Sequence, residues 1–257
     1  GMHHFFIDPS QMDRENKRCR IKGPDVHHLH KVLRLTAGIH VSVSDGCGER
    51  YLAVIRSIDP EVVHLELLER LSQSVILLER PIRLIQGIAK GSKMDWIVQK
   101  NTEMGIAAIQ PVSTEFTVVR FSTPQDAVKK QHRWQKIADE ASKQSKRTSI
   151  PVVEPPRTLQ EVLELGRQSG ESRLRLLAHE KESASRLADV LQPEALMHYQ
   201  GIEMWIGPEG GFSPEEVMLA KEAGIRTVGL GPRILRTETA SLVLLSVLLY
   251  EMGVLEA

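Results

Sequence analysis

From Pro81 onward the chain alternates short apolar runs with helical periodicity, and this rhythm restricts the possible folds more than any other feature. Residues 82–88 read as a strand. Met94, Ile97, Asn101 and Met104 then share one helix face behind a capping pattern, Ser92-Lys-Met-Asp95, and Gly105 stops the helix. A second strand follows at 107–112, and Trp134, Ile137, Ala138 and Ala141 mark a longer helix by their i, i+3, i+4, i+7 spacing. Further strands are expected at 151–154, 174–179, 202–206 and 227–230, with helices near 158–169, 184–191, 214–223 and 238–252. Parallel neighbours need a crossover, usually a helix, so the alternation predicts an α/β domain with a largely parallel sheet. Ligands of such sheets lie beyond the carboxyl ends of the strands. Three loops are therefore in contention: those after His179, Ile206 and Leu230.

The first part of the chain is organised differently. Apolar runs at 39–43, 51–55 and 62–68 are short, and Asp45-Gly-Cys-Gly48 between the first two is a hairpin-type turn. Residues 25–35 can form a short helix. The reading is a small, barrel-like β domain over residues 1–75 and an α/β domain over 76–257.

Formal net charge is zero, so no global field argues for nucleic acid or membrane. Cys19 and Cys47 form no C-x-x-C pair and fit a reducing compartment. The polar N-terminus, with His3, His4 and Asp8, lacks a secretory leader pattern. The most apolar run, 240–250, is about half of the roughly 20 residues that span a bilayer. A cytoplasmic protein without membrane contact is expected. His27, His28 and His30 lack an i, i+4 pair and a cysteine or carboxylate at ligand spacing, so no metal is expected.

The turn Gly207-Pro-Glu-Gly-Gly211 joins a strand to a helix that Ser213, Pro214 and Glu216 start with a capping box. It resembles a phosphate cradle, but Glu209 would repel phosphate, no lysine accompanies it, and no P-loop pattern occurs in the chain. A cationic ligand with a flat base, held by main chain, suits the turn better, and S-adenosylmethionine is such a ligand. A tight corner with no ligand is the alternative. In the next loop, Arg233 and Arg236 beside an apolar helix are costly to desolvate unless they meet an anion or carboxylate. RNA phosphate, a cofactor carboxylate or Glu209 could each serve, while Thr237 can cap the helix.

Ile206-Gly-Pro-Glu-Gly-Gly-Phe-Ser213, followed by Leu230-Gly-Pro-Arg-Ile-Leu-Arg-Thr-Glu-Thr239, resembles the RsmE family of 16S rRNA (uracil(1498)-N(3))-methyltransferases in the SPOUT superfamily. Lys90-Gly-Ser-Lys-Met-Asp-Trp-Ile-Val-Gln-Lys-Asn-Thr-Glu-Met-Gly105, Arg133-Trp134, the segment 140–147 and His28-Leu-His-Lys-Val-Leu-Arg34 extend the resemblance over nearly the whole chain. The resemblance implies a PUA-like β-barrel, then an α/β domain with a C-terminal trefoil knot, a homodimer, S-adenosylmethionine as cofactor, and 16S ribosomal RNA or the small ribosomal subunit as partner. A SPOUT enzyme acting on ribose 2′-hydroxyls or another base, and a non-catalytic RNA-binding protein, are the alternatives.

Local charge supports an anionic partner. Residues 14–34 and 129–147 each carry seven Lys/Arg against two Asp/Glu. Arg34, Lys90, Lys93, Lys100, Arg133, Lys143 and Arg147 are the expected RNA contacts. Expected cofactor contacts are Leu177, Ala178 and His179, then Ile206, Gly207, Pro208, Glu209 and Gly210, then Leu230, Gly231, Ile234, Leu235 and Arg236. Valine at Gly207 or Gly231 is expected to occupy the cofactor's space. Uracil N3 bears a proton, so methylation there needs a base and a stabiliser of negative charge. Arg236 is the candidate stabiliser, and Glu238 or Glu209 the candidate base.

Overall fold

The computed structural model describes residues 2–44, 49–71, 80–145, 147, 149–180 and 186–256. The expected turn at 45–48, the expected domain boundary at 75 and the first residues of the expected helix at 184–191 lie outside the described residues. The chain divides into two compact units, Gly1–Glu79 and Arg80–Ala257.

Unit one holds β1 (His4–Phe6), β2 (Met12–Asp13), β3 (Arg18–Lys22), the short helix α1 (Pro24–His27) running into a π-turn at His28–Val32, then β4 (His40–Ser44), β5 (Arg50–Ile58) and β6 (Val62–Arg70). Its sheet runs in the order β1-β4-β5-β6-β3-β2. Strict alternation in β3 buries Cys19 and Ile21 and leaves Arg18, Arg20 and Lys22 outside. Burial pushes the Cys19 thiol up to about 12, which fits an inert core thiol. Leu29, Val41, Val43, Ile55, Val63 and Leu65 are among the residues that share this core, while His27, His28, His30 and Arg34 are exposed.

Unit two alternates as the sequence rhythm requires. In chain order it contains β7 (Ile82–Gly87), α2 (Ser92–Glu103), β8 (Ala108–Ser113), α3 (Pro124–Gln144), β9 (Val152–Val153), β10 (Arg157–Thr158), α4 (Leu159–Gln168), β11 (Arg173–Ala178), α5 (Leu187–Val190), α6 (Pro193–Leu196), β12 (Gly201–Ile206), α7 (Pro214–Glu222), β13 (Arg226–Val228) and α8 (Thr237–Glu251). The order is β10-β8-β7-β12-β11-β13, with β9 also on β8, and each pairing is parallel. No helix among the described residues is long and apolar enough to cross a membrane.

Each sheet face is set by strand alternation. Ile85, Val112, Leu177 and Trp205 pack with Leu159 and Val162 of α4 and with Val217 and Ala220 of α7. On the other face α8 packs on β12 and α2, and α2 packs on α3. Buried Asn101 spans the α2–α8 contact, its amide donating to the Ile97 carbonyl (2.9 Å) and to the Ser241 hydroxyl (3.1 Å). Thr123 caps α3 and Thr158 caps α4, each accepting a backbone N–H three residues ahead. At α2 the expected Ser92–Asp95 box does not form: Gly91, with φ 52°, occupies the N-cap and Ser92 is already helical.

Arg147, an expected RNA contact, is half-buried. Its guanidinium donates to the carbonyls of Thr102 and Ile106, both at 2.9 Å, where α2 ends and the chain enters β8. Arg147→Ala leaves both acceptors without that donor and is expected to cost about 1–3 kcal/mol. Urea denaturation should show a lower midpoint with an unchanged slope.

Candidate functional site

The carboxyl ends of β11 and β12 and the start of α8 meet around a cleft of about 740 Å³. Its lining includes His179 after β11, the turn 206–212 after β12, and residues 234–238 and 240 leading into α8. Glu180 after β11, Lys93 of α2, Phe116 of the loop after β8, and Pro214 and Val217 of α7 complete it.

One hydroxyl ties these elements together. Thr237 Oγ1 donates to the Gly207 carbonyl (2.6 Å) and accepts from Gln86 Nε2 (2.8 Å). Gln86 is fully buried at the end of β7, and the same amide donates to the Gly87 carbonyl (2.9 Å). This corrects the sequence expectation for Thr237. Arg236, in extended conformation, is the N-cap of α8, and Thr237 is its first helical residue with its side chain turned to the sheet.

Glu209 provides a second tie. Its Oε1 accepts from the Lys90 backbone N–H (2.8 Å), with Lys93 Nζ 3.9 Å away, so the turn is joined to the segment that starts α2. This explains a carboxylate in a glycine turn: it satisfies a main-chain donor at the neighbouring strand end. Ser213 and Glu216 form the reciprocal box at α7, and Glu216 also accepts from the Glu115 N–H (3.1 Å).

The glycines are needed for reasons of contact. A Cβ on Gly87 would lie 2.3 Å from Pro208 Cδ, so β7 can pass the turn only without a side chain. A Cβ on Gly207 would lie 3.0 Å from both Gly211 Cα and its carbonyl carbon. Valine at 207 would therefore press on the turn's own backbone before reaching any ligand. Gly231 has open space around it, but its φ of 103° belongs to the left-handed region, so valine there acts through backbone strain.

Of the expected cofactor contacts, His179, Ile206, Gly207, Pro208, Glu209, Gly210, Ile234, Leu235 and Arg236 line the cleft. The Leu177 side chain is in the core, and Ala178, Leu230 and Gly231 are not among the lining residues. Phe116, Glu180, Gly211, Phe212, Pro214, Val217, Thr237 and Ala240 line it without having been anticipated. The capping role read for Thr237 and the buried apolar pattern around Ala240 were the only signals for those two. Arg233 and Arg236 are exposed, not desolvated, because the loop runs over the surface, and Ile234 is 80 % exposed. Among the expected RNA contacts, Lys100 pairs with Glu103 (3.2 Å), Arg133 pairs with Asp95, and Lys90 and Lys143 are exposed.

The lining brings Glu180, Glu209 and Glu238 against Lys93 and Arg236 as its fixed charges, with His179 beside them. Apolar walls come from Phe116, Ile206, Phe212, Val217 and Leu235. Glu238 Oε2 is buried and has no hydrogen-bond partner among the described residues. A buried carboxylate oxygen is costly to leave unpaired, so the cleft is built to receive a donor or a cation. An apolar pocket with few placed polar groups and an excess of carboxylates suits a flat ligand bearing positive charge, and it disfavours phosphate.

A signature described as an RNA methyltransferase domain matches residues 78–249, and one described as an RNA methyltransferase PUA domain matches residues 21–68. The chain is 32% identical over 255 residues to "Ribosomal RNA small subunit methyltransferase E" of Bacillus subtilis (strain 168), covering 97% of each chain. It is 34% identical to the protein of the same name from Synechocystis sp., over 86% of this chain and 69% of that one. A crystal structure of a ribosomal RNA small subunit methyltransferase E from Neisseria gonorrhoeae bound to S-adenosyl methionine matches with a TM-score of 0.58 and 30% identity, over 97% of this chain and 98% of that one.

Thr237→Val keeps the shape of the side chain and removes the hydroxyl from both of its bonds. A stability loss of about 1–3 kcal/mol is expected, most of it restored by Thr237→Ser. Urea or thermal unfolding of the two variants checks this.

Proposed function

The chain belongs to the ribosomal RNA small subunit methyltransferase E family, and from that premise we propose that it methylates N3 of uridine 1498 of 16S ribosomal RNA with S-adenosylmethionine as donor. The observation that carries this reading is the cleft: a glycine turn and apolar walls beside an unpartnered buried oxygen of Glu238. Such a lining suits a cationic sulfur and a flat purine better than a phosphate.

S-adenosylmethionine, when bound, supplies a methyl group on positively charged sulfur. The remaining tasks fall to the chain. The turn 207–211 and residues 234–236 would hold the donor through main chain and apolar contact, with Phe116 and Phe212 beside them. Glu209 is already engaged by the Lys90 N–H, so its work is to fix the turn. Glu238 is left as the group that accepts the N3 proton. Loss of that proton places negative charge on the uracil oxygens, and Arg236, exposed at the rim with no ion pair among the described residues, offers the donor that stabilises it.

The same reading gives unit one the role of a PUA-like barrel that binds RNA and unit two that of a SPOUT methyltransferase with a C-terminal trefoil knot. The tie between Thr237, Gly207 and Gln86 supports a chain end packed deep against the first strand of its unit. A homodimer fits Tyr250, a large aromatic side chain that is 58% exposed near the end of α8. Exposed cations at Arg34, Lys90 and Lys143 fit an RNA partner, and the cytoplasm is where that partner is found.

Arg236→Ala is expected to lower the single-turnover rate about 10²- to 10³-fold while leaving S-adenosylmethionine affinity within a few-fold of wild type. Calorimetry together with rapid-quench kinetics measures both. RNA affinity should fall steeply with salt, with a log–log slope of about −3 or steeper if about four phosphates are neutralised. A flat dependence would leave RNA recognition to uncharged contacts.

A further inference from the structure

The face of the sheet that carries Ile85, Leu177 and Trp205 near its carboxyl end becomes charged toward the amino ends of the same strands. Arg83 pairs in register with Glu203 across β7 and β12, and Arg173 opens β11. With Gln110, Glu154, Arg157 and residues of α4, these side chains enclose a second cavity of about 370 Å³.

Most of the charges there are already matched. Glu203, 5% exposed, accepts from Trp205 Nε1 (2.7 Å) and from Arg173 Nη1 (3.2 Å). Arg173 also reaches Glu171, and Arg157 reaches Gln110 and, at 3.6 Å, Glu154. Arg83 is the exception. Half-buried, it has no hydrogen bond or ion pair among the described residues, and its Nε is buried without an acceptor. Burial, then the like charge of Arg173, holds its guanidinium below the usual arginine range, against the longer-range attraction of Glu203, Glu154 and Glu171. Three arginines share a cavity with two glutamates, and both glutamates are engaged by the other two arginines.

An unmatched, partly desolvated guanidinium beside two others in a cavity is an arrangement that favours an oxyanion. We infer that this cavity binds a phosphate group through Arg83, with Arg157 and Arg173 at its sides. It lies at the end of the sheet opposite the glycine turn, so it is separate from the methyl-transfer cleft and does not depend on the reading of that cleft. The phosphate can come from free phosphate compounds or from the backbone of the RNA.

Thermal unfolding with inorganic phosphate, against chloride at matched ionic strength, tests the site. Phosphate at about tenfold its dissociation constant should raise the wild-type midpoint by about 3 °C. Arg83→Met should remove that rise and be at least as stable as wild type in chloride, because an unmatched half-buried cation is replaced by an apolar side chain. Arg83→Lys, which keeps the charge and loses the fork, should keep part of the rise. No rise in wild type, a full rise in Arg83→Met, or a fall of several degrees in the chloride midpoint of Arg83→Met overturns the inference, the last by making Arg83 a structural residue. With that pattern in hand, RNA titrations locate the source. An Arg83→Met salt slope shallower by about one points to an RNA phosphate, and an unchanged slope points to a free phosphate compound.

Discussion

The hydroxyl of Thr237 is the contact on which the cleft depends. A neutral hydrogen bond contributes only about 1 kcal/mol net, but a buried partner left unmade costs more. Here one oxygen serves the carbonyl of the glycine turn and the amide of buried Gln86, so β7, β12 and α8 are held at a single point. Glu209 repeats the device with the Lys90 main chain, and the missing side chain at Gly87 lets the strand and the turn approach closely enough for both ties. The glycine turn is therefore a rigid part of the fold, braced from two directions, and its openness to ligand is a by-product of that bracing.

The sheet carries two chemistries on one face. Near the carboxyl ends its side chains are apolar and fill the core beneath the glycine turn. Near the amino ends Arg83 and Glu203, in register with each other, and Arg173 at the start of β11 replace them on the same strands. Glu203 persists so close to a core because it satisfies Trp205 and Arg173 at once, whereas Arg83 has no hydrogen-bond or ion-pair partner among the described residues.

Much of this architecture was legible in the sequence. The strand–helix rhythm after Pro81 specified the parallel sheet, and its strand ends pointed to loops that do meet around one cleft. The box at Ser213 and Glu216 formed as its spacing predicted, because its partners lie three residues apart. The Ser92–Asp95 pattern failed although it has the same spacing, since Gly91 takes a left-handed conformation and ends the loop one residue early. Thr237 could be read as a cap for want of any sign of its real partners, which lie 30 and 151 residues away. Charge counting could not tell Arg147, which closes the end of α2, from exposed Lys143. Short strands such as β3, with two apolar residues among three cations, carried too little pattern to be recognised.

The bond between Gln86 and Thr237 spans 151 residues, joining the first strand of its unit to the last long helix. Contacts so distant in sequence form late, because the loop they close must first be ordered. During synthesis the first unit can collapse while the second still lacks its final helix. The cleft thus acquires its shape only after α8 has left the ribosome, and a nascent chain stopped short of it would present a nearly complete sheet with an unfinished pocket.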